Sequence, residues 1–399
     1  MKIKLLTAVL CLITAQTYAN DHQVNDLKKE LALLQLKVQQ LESDTDKTQT
    51  EIQQIVNKPK SNVTFKPYGF IRFDLAHHFQ GSDKIFNTIN TLPLDHQKNV
   101  NSKTFYNVNT SRLGLDIQGK VNEQDVLAKI EVDFRGGASN DQLRVRHAYV
   151  KVDNWLFGQT TSPFVSADIL PEKLDFMANL GGGIQRNPMI QYQHTIDKNT
   201  KTWIALEDGS NSRNVDDQTR FPTLTTKLQI RSDDQKSVLS ARALIGQKKT
   251  STDEEMAWGA GLGGLYQIDE KNKIHADYYH VKGDSKYVLF TNDAYVLDDE
   301  NGKEIIANEF DSIALGLTHA WNSQWRSTLG LGAMLAHDGD YADLSPNANE
   351  SLYQGWLNVM YSPTRALTYG LEYVHGQRTT FNDQKGTDSR LEAMVRYSF

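Results

Sequence analysis

Residues 141–164 read DQLRVRHAYVKVDNWLFGQTTSPF, and within them Leu143 and Val145 alternate with Arg144 and Arg146. Period-two alternation sends the two sets to opposite faces of a strand. In a soluble sandwich the apolar face would be core and the arginines would meet bulk water. The same alternation recurs along most of the chain, however, with no helical segment to cover the apolar faces. Such a sheet must close on itself, with lipid outside and water within, so the arginines are expected to line a pore.

Upstream, Lys2 and Lys4 precede an apolar run from Leu5 to Ile13 and small residues ending at Ala19, the pattern of a secretory signal over 1–19 cleaved after Ala19. Cys11 is the only cysteine and lies inside the run after Leu10, which disfavours a lipoprotein reading and leaves the mature chain without cysteine. No later run approaches the ~20 apolar residues of a membrane helix. Removing Lys2 and Lys4 takes the basic residues from 43 to 41 against 49 acids, a net charge of −8, so no nucleic-acid partner is expected.

Residues 20–56 carry the one helical signal. Val24, Leu27, Leu31, Leu34, Val38, Leu41, Thr45, Thr48, Ile52 and Ile55 are separated alternately by three and four residues, a heptad seam with polar residues between. A lone helix with so narrow a stripe is marginal in water, and self-association buries the seam. The segment is therefore read as a coiled coil holding an oligomer, the alternative being a helix packed on its own barrel. Residues 57–64, with Pro59, form a linker, and 65–399 form the barrel.

Phe65, Ile71, Phe73, Leu75 and Phe79 share one parity, Lys66, Arg72 and Asp74 the other. Thr104 to Ile117 repeats this with Arg112 and Asp116 on the polar face, and Lys129, Glu131, Asp133 and Arg135 share a face of the next strand. Four successive charges suit a water-filled interior, not buried sheet. Asp141 to Val152 follows, then Trp155 to Gln159. After the break from Thr160 to Asn187, signals continue at Met189 to His194, Thr202 to Leu206, Pro222 to Ile230, Ser237 to Ile245, Trp258 to Ile268 and Lys273 to Val281. They resume at Phe310 to Trp321, Trp325 to Ala336, Leu352 to Tyr361, Leu367 to Val374 and Asp388 to Phe399. The total is about sixteen, an even number as single-chain bacterial barrels have. Gly283 to Glu309 reads as a long external loop in which Asn301-Gly302 marks a hairpin. Tyr149, Trp155, Trp321, Trp325, Tyr361, Tyr369 and Tyr373 are candidates for the interfacial girdles. The last strand alternates Leu391, Ala393, Val395, Tyr397 and Phe399 against polar residues and closes on an aromatic, the signature that the barrel-assembly machinery reads on outer-membrane barrels.

Thr160 to Asn187 holds Pro163, Pro171 and Gly181 to Gly183, and Pro188 follows it. It is read either as a loop folded into the lumen opposite Arg144 and Arg146, with Glu172, Lys173, Asp175 and Arg186 at the constriction, or as an ordinary external loop. Arg72, Arg112, Lys129, Arg144, Arg146 and Arg186 are the expected pore-lining cations, since guanidinium forks suit carboxylates. Some are expected to pair with neighbouring acids, Arg135 and Arg72 first among them.

No GxSxG elbow, Walker loop, HExxH or CxxC pair occurs, so no enzyme and no cofactor is expected. His77 and His78 point to opposite faces and cannot chelate together, and Asp338, Asp340 and Asp343 read as a solvated acidic loop; no metal is assigned.

The signal, the heptads, and then FKPYGFIRFDLA, TSRLGLDIQG, GGASNDQLRVRHAYV and NWLFGQTTSPF together resemble the DcaP-like trimeric outer-membrane porins over essentially the whole mature chain. The resemblance implies a homotrimeric barrel in the bacterial outer membrane. It would sit among lipid and lipopolysaccharide with its coiled coil in the periplasm, and take up small organic anions, dicarboxylates and aromatic acids among them. Two other readings are carried beside it: a sugar-specific porin, which needs a ladder of lumenal aromatics, and an envelope tether or adhesin working through the coiled coil.

Overall fold

The computed structural model describes residues 28–43, 47, 63–97, 100–210, 217–300 and 303–399. The chain divides into two units, Met1–Asn62 and Val63–Phe399. In the first, residues 28–43 are helical, and Leu31, Leu34, Val38 and Leu41 of the heptad seam are exposed on that helix. The signal and the seam positions Val24, Leu27, Thr45, Thr48, Ile52 and Ile55 lie outside the described residues. Among the described residues no helix is long and apolar enough to cross a membrane.

The second unit is a closed antiparallel barrel of sixteen strands. Its segments are β1 Thr64–Gly81, β2 Val100–Asn107, β3 Arg112–Val121, β4 Gln124–Gly136, β5 Gln142–Val152, β6 Trp155–Thr161, β7 Arg186–Thr195, β8 Thr200–Glu207 and β9 Thr223–Arg231. They continue with β10 Val238–Lys249, β11 Glu254–Gln267, β12 Asn272–Lys282, a hairpin of β13 Tyr295–Asp298 and β14 Glu304–Ala307, then β15 Glu309–Ala320, β16 Trp325–Ala336, β17 Asn349–Tyr361, β18 Leu367–Thr380 and β19 Lys385–Ser398. The hairpin flanks the expected turn at 301–302, which itself lies outside the described residues.

Thr104 to Ile117, expected as one strand, is two. β3 pairs with the first half of β1 and β2 with the second, so together they fill one place in the ring. At the break the Ser111 hydroxyl accepts the Arg72 amide at 3.0 Å and the Thr110 hydroxyl donates to Asp74 at 2.6 Å, so the amide freed by the broken ladder keeps a partner. Closure comes where β1 meets β19, from Phe70↔Ser398 to Gln80↔Ser389, and Gly69 and Phe399 exchange both backbone hydrogen bonds at 3.1 Å. A ring without edges leaves no backbone group to lipid.

The apolar parity faces outward: Ile71, Phe73, Leu239, Leu262, Leu315, Leu331, Leu357 and Leu371 are all exposed, forming the lipid band. Trp155, Trp321, Trp325, Tyr369 and Tyr373 are exposed as girdle residues should be, and Trp325, Tyr361 and Tyr369 stack in a row with centroids 4.5 and 6.1 Å apart. Tyr149 is a correction. The register slips between Glu131 and Val132, leaving Arg146 as an extra residue in β5, a bulge that turns the following residues over. Tyr149 consequently packs inside against Leu156, Met189 and Ala205.

Inside the barrel, the segment after β6 and the loop between β12 and β15 fill one side. Phe164, Leu180, Tyr287 and Val288 from these loops bury against Tyr279, Phe310, Met334 and Leu352 of the wall.

Candidate functional site

Residues 162–185 run inside the barrel along its far wall, from β8 round to β1. Ser162 donates to Glu207 on β8 at 2.6 Å, Asp168 meets Lys227 and Arg231 on β9 at 3.5 and 3.3 Å, and the Ile169 carbonyl meets the His275 ring of β12 at 3.0 Å. Further on, Glu172 takes both ends of the Arg326 fork at 2.7 Å, and its carbonyl accepts from Trp356 and Asn358. The Leu174 amide donates to Glu372 at 2.8 Å, and its carbonyl accepts from Arg72 at 2.5 Å. Asp175 pairs with Arg390 at 2.8 Å.

Each acid of this loop is therefore held by a wall cation. Burial works against the charged form of Asp175, yet Arg390 and Lys173 keep its carboxyl below the usual range. Asp168 is held low in the same way, burial being outweighed first by Lys227. Desolvation pushes Lys173 below its ordinary value, and its ammonium reaches Gln354 at 2.6 Å. The loop turns back at Gly181, whose φ is +86° and where a Cβ would collide with the Ile313 carbonyl; only glycine fits there.

Opposite the loop lies an arc of wall from β1 through β7. Arg144 makes a bidentate pair with Asp133 at 2.9 and 2.8 Å, and Arg146 bridges Glu131 and Asp133, both at 2.9 Å. Arg112 stands 3.4 Å from Glu131 and over the Phe70 ring, with its Nε unpartnered. Lys129 pairs with Asp116 at 2.7 Å and donates to the Tyr68 hydroxyl oxygen at 3.0 Å. Arg72 is tied to Asp74 at 2.6 Å. Arg186, the first residue of β7, has no ion pair among the described residues, and its buried Nε lacks a partner. The charges of Arg146, Arg112 and Arg144 all act upon it. Cations thus outnumber the carboxylates Asp74, Asp116, Glu131 and Asp133 on this arc.

Three of the four loop residues expected at the constriction are elsewhere. Glu172, Lys173 and Asp175 anchor the loop to the far wall; only Arg186 joins the arc. Arg135 is a second correction: among the described residues it has no ion pair, and its guanidinium lies 4.9 Å from the centroid of Phe86. Sequence reading also missed Phe176, which faces Arg72 and Arg146 at 5.7 and 5.9 Å and Phe86 at 6.0 Å. Phe86 comes from residues 82–97, which also fold inward: the Asn87 amide donates to Asp175 at 2.7 Å. No local pattern marks either ring, because each matters only through a contact far along the chain. Where the loops meet the arc, two phenyl rings thus lie against guanidinium groups.

A model described as "DcaP outer membrane protein" matches residues 2–399. The structure is similar to the crystal structure of the outer membrane channel DcaP of Acinetobacter baumannii, with a TM-score of 0.80 and 35% identity over 86% of this chain and 99% of that one. It is also similar to OmpT of Vibrio cholerae (TM-score 0.57, 14% identity, 85% and 99% covered) and OmpF of Salmonella typhi (0.58, 11%, 85% and 98%). At those identities the likeness concerns the fold alone. None of the curated proteins compared with the chain matches it.

Proposed function

This chain belongs to the DcaP outer membrane protein family, and from that membership we infer that it is an outer-membrane porin for small organic anions. It is a channel, not an enzyme. The observation that carries the anion reading is the unbalanced basic arc, above all Arg186, whose guanidinium has no carboxylate against it among the described residues. A carboxylate passing the loop would take charge-assisted hydrogen bonds from Arg186, Arg112 and the outer edge of Arg144. Phe86 and Phe176 would meet an apolar or aromatic remainder, which suits dicarboxylates and aromatic acids alike. Lys129 and Arg72, each already paired, shape the potential.

Four exposed seam residues on the helix over 28–43 support a homotrimer joined by a coiled coil, since three such helices would bury them together. β1 begins at the barrel end that also carries Phe399 and the short turns, the periplasmic end in this reading, and because residues 20–56 precede β1 in sequence we assign the coiled coil to the periplasm. Lipid and lipopolysaccharide would cover the outer apolar band, and Phe399 is the residue offered to the assembly machinery.

Reversal potentials across a planar bilayer under a salt gradient test the proposal. Anion preference is expected, falling when Arg144 and Arg146 are both changed to alanine. Cation preference in the parent protein, unaltered by that double change, would remove the anion reading.

A further inference from the structure

On the outer face of the barrel, at the loop end and just past Ile313 and Leu335 of the apolar band, two imidazoles and two carboxylates meet. His280 is directly across from Asp311 in the β12–β15 ladder, and His337 follows β16 with its amide bonded to the Glu309 carbonyl at 2.8 Å. His280 Nδ1 is 3.0 Å from Asp311 and its Nε2 3.4 Å from Glu309; His337 Nε2 is 2.7 Å from Asp311 and its Nδ1 3.6 Å from Glu309. The Tyr278 hydroxyl donates to Asp311 at 2.5 Å.

All four imidazole nitrogens thus face carboxylate oxygens. An unprotonated imidazole nitrogen offers its lone pair to a metal ion, as a carboxylate oxygen does, so donors of both kinds converge here. Lys282 stands 3.8 Å from Glu309, on the side away from Asp311.

We propose that His280, Asp311 and His337 form a binding site for a transition-metal dication of the zinc class, with Glu309 within reach as a fourth ligand. One donor atom from each of the three lies within 4.8 Å of the others. Zinc bonds of about 2.0–2.2 Å hold tetrahedral donors about 3.4 Å apart, so a small inward movement of the half-buried His280 and Asp311 and the exposed His337 completes the site. Imidazole with carboxylate selects zinc, copper or nickel over magnesium and calcium, which take oxygen. The Trp258 ring, 5.0 Å from His280, shields one side. A bound ion would tie β12, β15 and the start of the segment after β16 together at the base of the long loop between β12 and β15. The inference is independent of what passes through the pore.

The test uses the full-length protein in detergent, stripped of metal and titrated with zinc chloride against a chromophoric chelator, with cobalt(II) absorption as a second readout. One zinc per chain is expected, unaffected by excess magnesium, with binding at least about tenfold weaker in His337→Ala and in His280→Asn. His337 lies exposed beyond the strand, so its replacement should leave the heat-modifiable barrel and the single-channel conductance unchanged, showing that the fold survives. Absence of saturable zinc binding, undiminished binding in folded His337→Ala, or displacement of zinc by magnesium would each overturn the proposal.

Discussion

Arg390 on the last strand donates to Asp175 in the inward loop at 2.8 Å, with each side chain at most 1% exposed. The same guanidinium also holds Asp388 and Glu392. Removing Arg390 would leave three buried carboxylates without their cation, at a cost of at least about 3–5 kcal/mol. Asp175→Asn should be milder, since Arg390 keeps two partners. We expect the variant to fold, with a loosened loop and noisier single-channel current. A quiet, parent-like trace would show that the other anchors suffice.

The difference between the parent and Asp175→Asn should depend on pH with a definite sign. The folded value of Asp175 lies below its unfolded value of about 3.9, so the pair's contribution is complete above that pH and is lost as pH falls through the lower, folded value. Current noise of the two proteins should therefore differ down to about pH 4 and converge only below it. Convergence already between pH 6 and 5 would contradict the depressed value.

Phe176→Ala should widen the passage with the loop still fastened, giving higher conductance at unchanged noise. Gly181→Ala should raise both, because a Cβ there meets the Ile313 backbone and displaces the loop. Single-channel recordings of the two variants separate widening from release. Equal conductance in parent and Phe176→Ala would put the narrowest point elsewhere.

Arg186→Ala removes a guanidinium that has no carboxylate partner among the described residues, so thermal stability should hardly change while anion recognition suffers. A charge-assisted hydrogen bond contributes about 1.5–3 kcal/mol, so apparent affinity for succinate, read as current block, should drop about tenfold or more. Arg144→Ala instead exposes Asp133 and should shift the reversal potential further towards cations than Arg186→Ala does.

Leu34→Asp with Val38→Asp places charge on the exposed heptad seam and should weaken the proposed trimer while each barrel stays folded. Light scattering in detergent reads the mass. An unaltered trimer would assign oligomerisation to the barrels alone.

The strand pattern and the lipid-facing parity were legible in sequence because a membrane forces strict alternation on every strand. The loop's punctuation by Pro163, Pro171 and Gly181 was legible as a break, and its inward course was one of two readings. Pairing was legible at Arg72, which meets Asp74 as expected, and not elsewhere on the arc. Arg144 and Arg146 share one parity, yet the bulge at Arg146 and the opposing Glu131 and Asp133 decide how much of their charge reaches the lumen. Arg135 was expected to be neutralised and instead stacks on Phe86, because an inward loop carries that ring to it. His280, Asp311 and His337 come from three separate stretches, and only the strand register makes them neighbours.

The inward segment is emitted after β6, and although Arg72 of β1 is already there to meet it, most of its fastenings lie on β8, β9, β12 and β16 to β19, the Arg390 contact spanning 215 positions. Until those strands arrive it has little to grip. Construction of the hole therefore precedes its calibration: a half-built ring would be wide and leaky, and the aperture would acquire its size last. Contacts of such separation are also slow to form. An envelope that must never leak has reason to keep this chain chaperoned until the final staves are in.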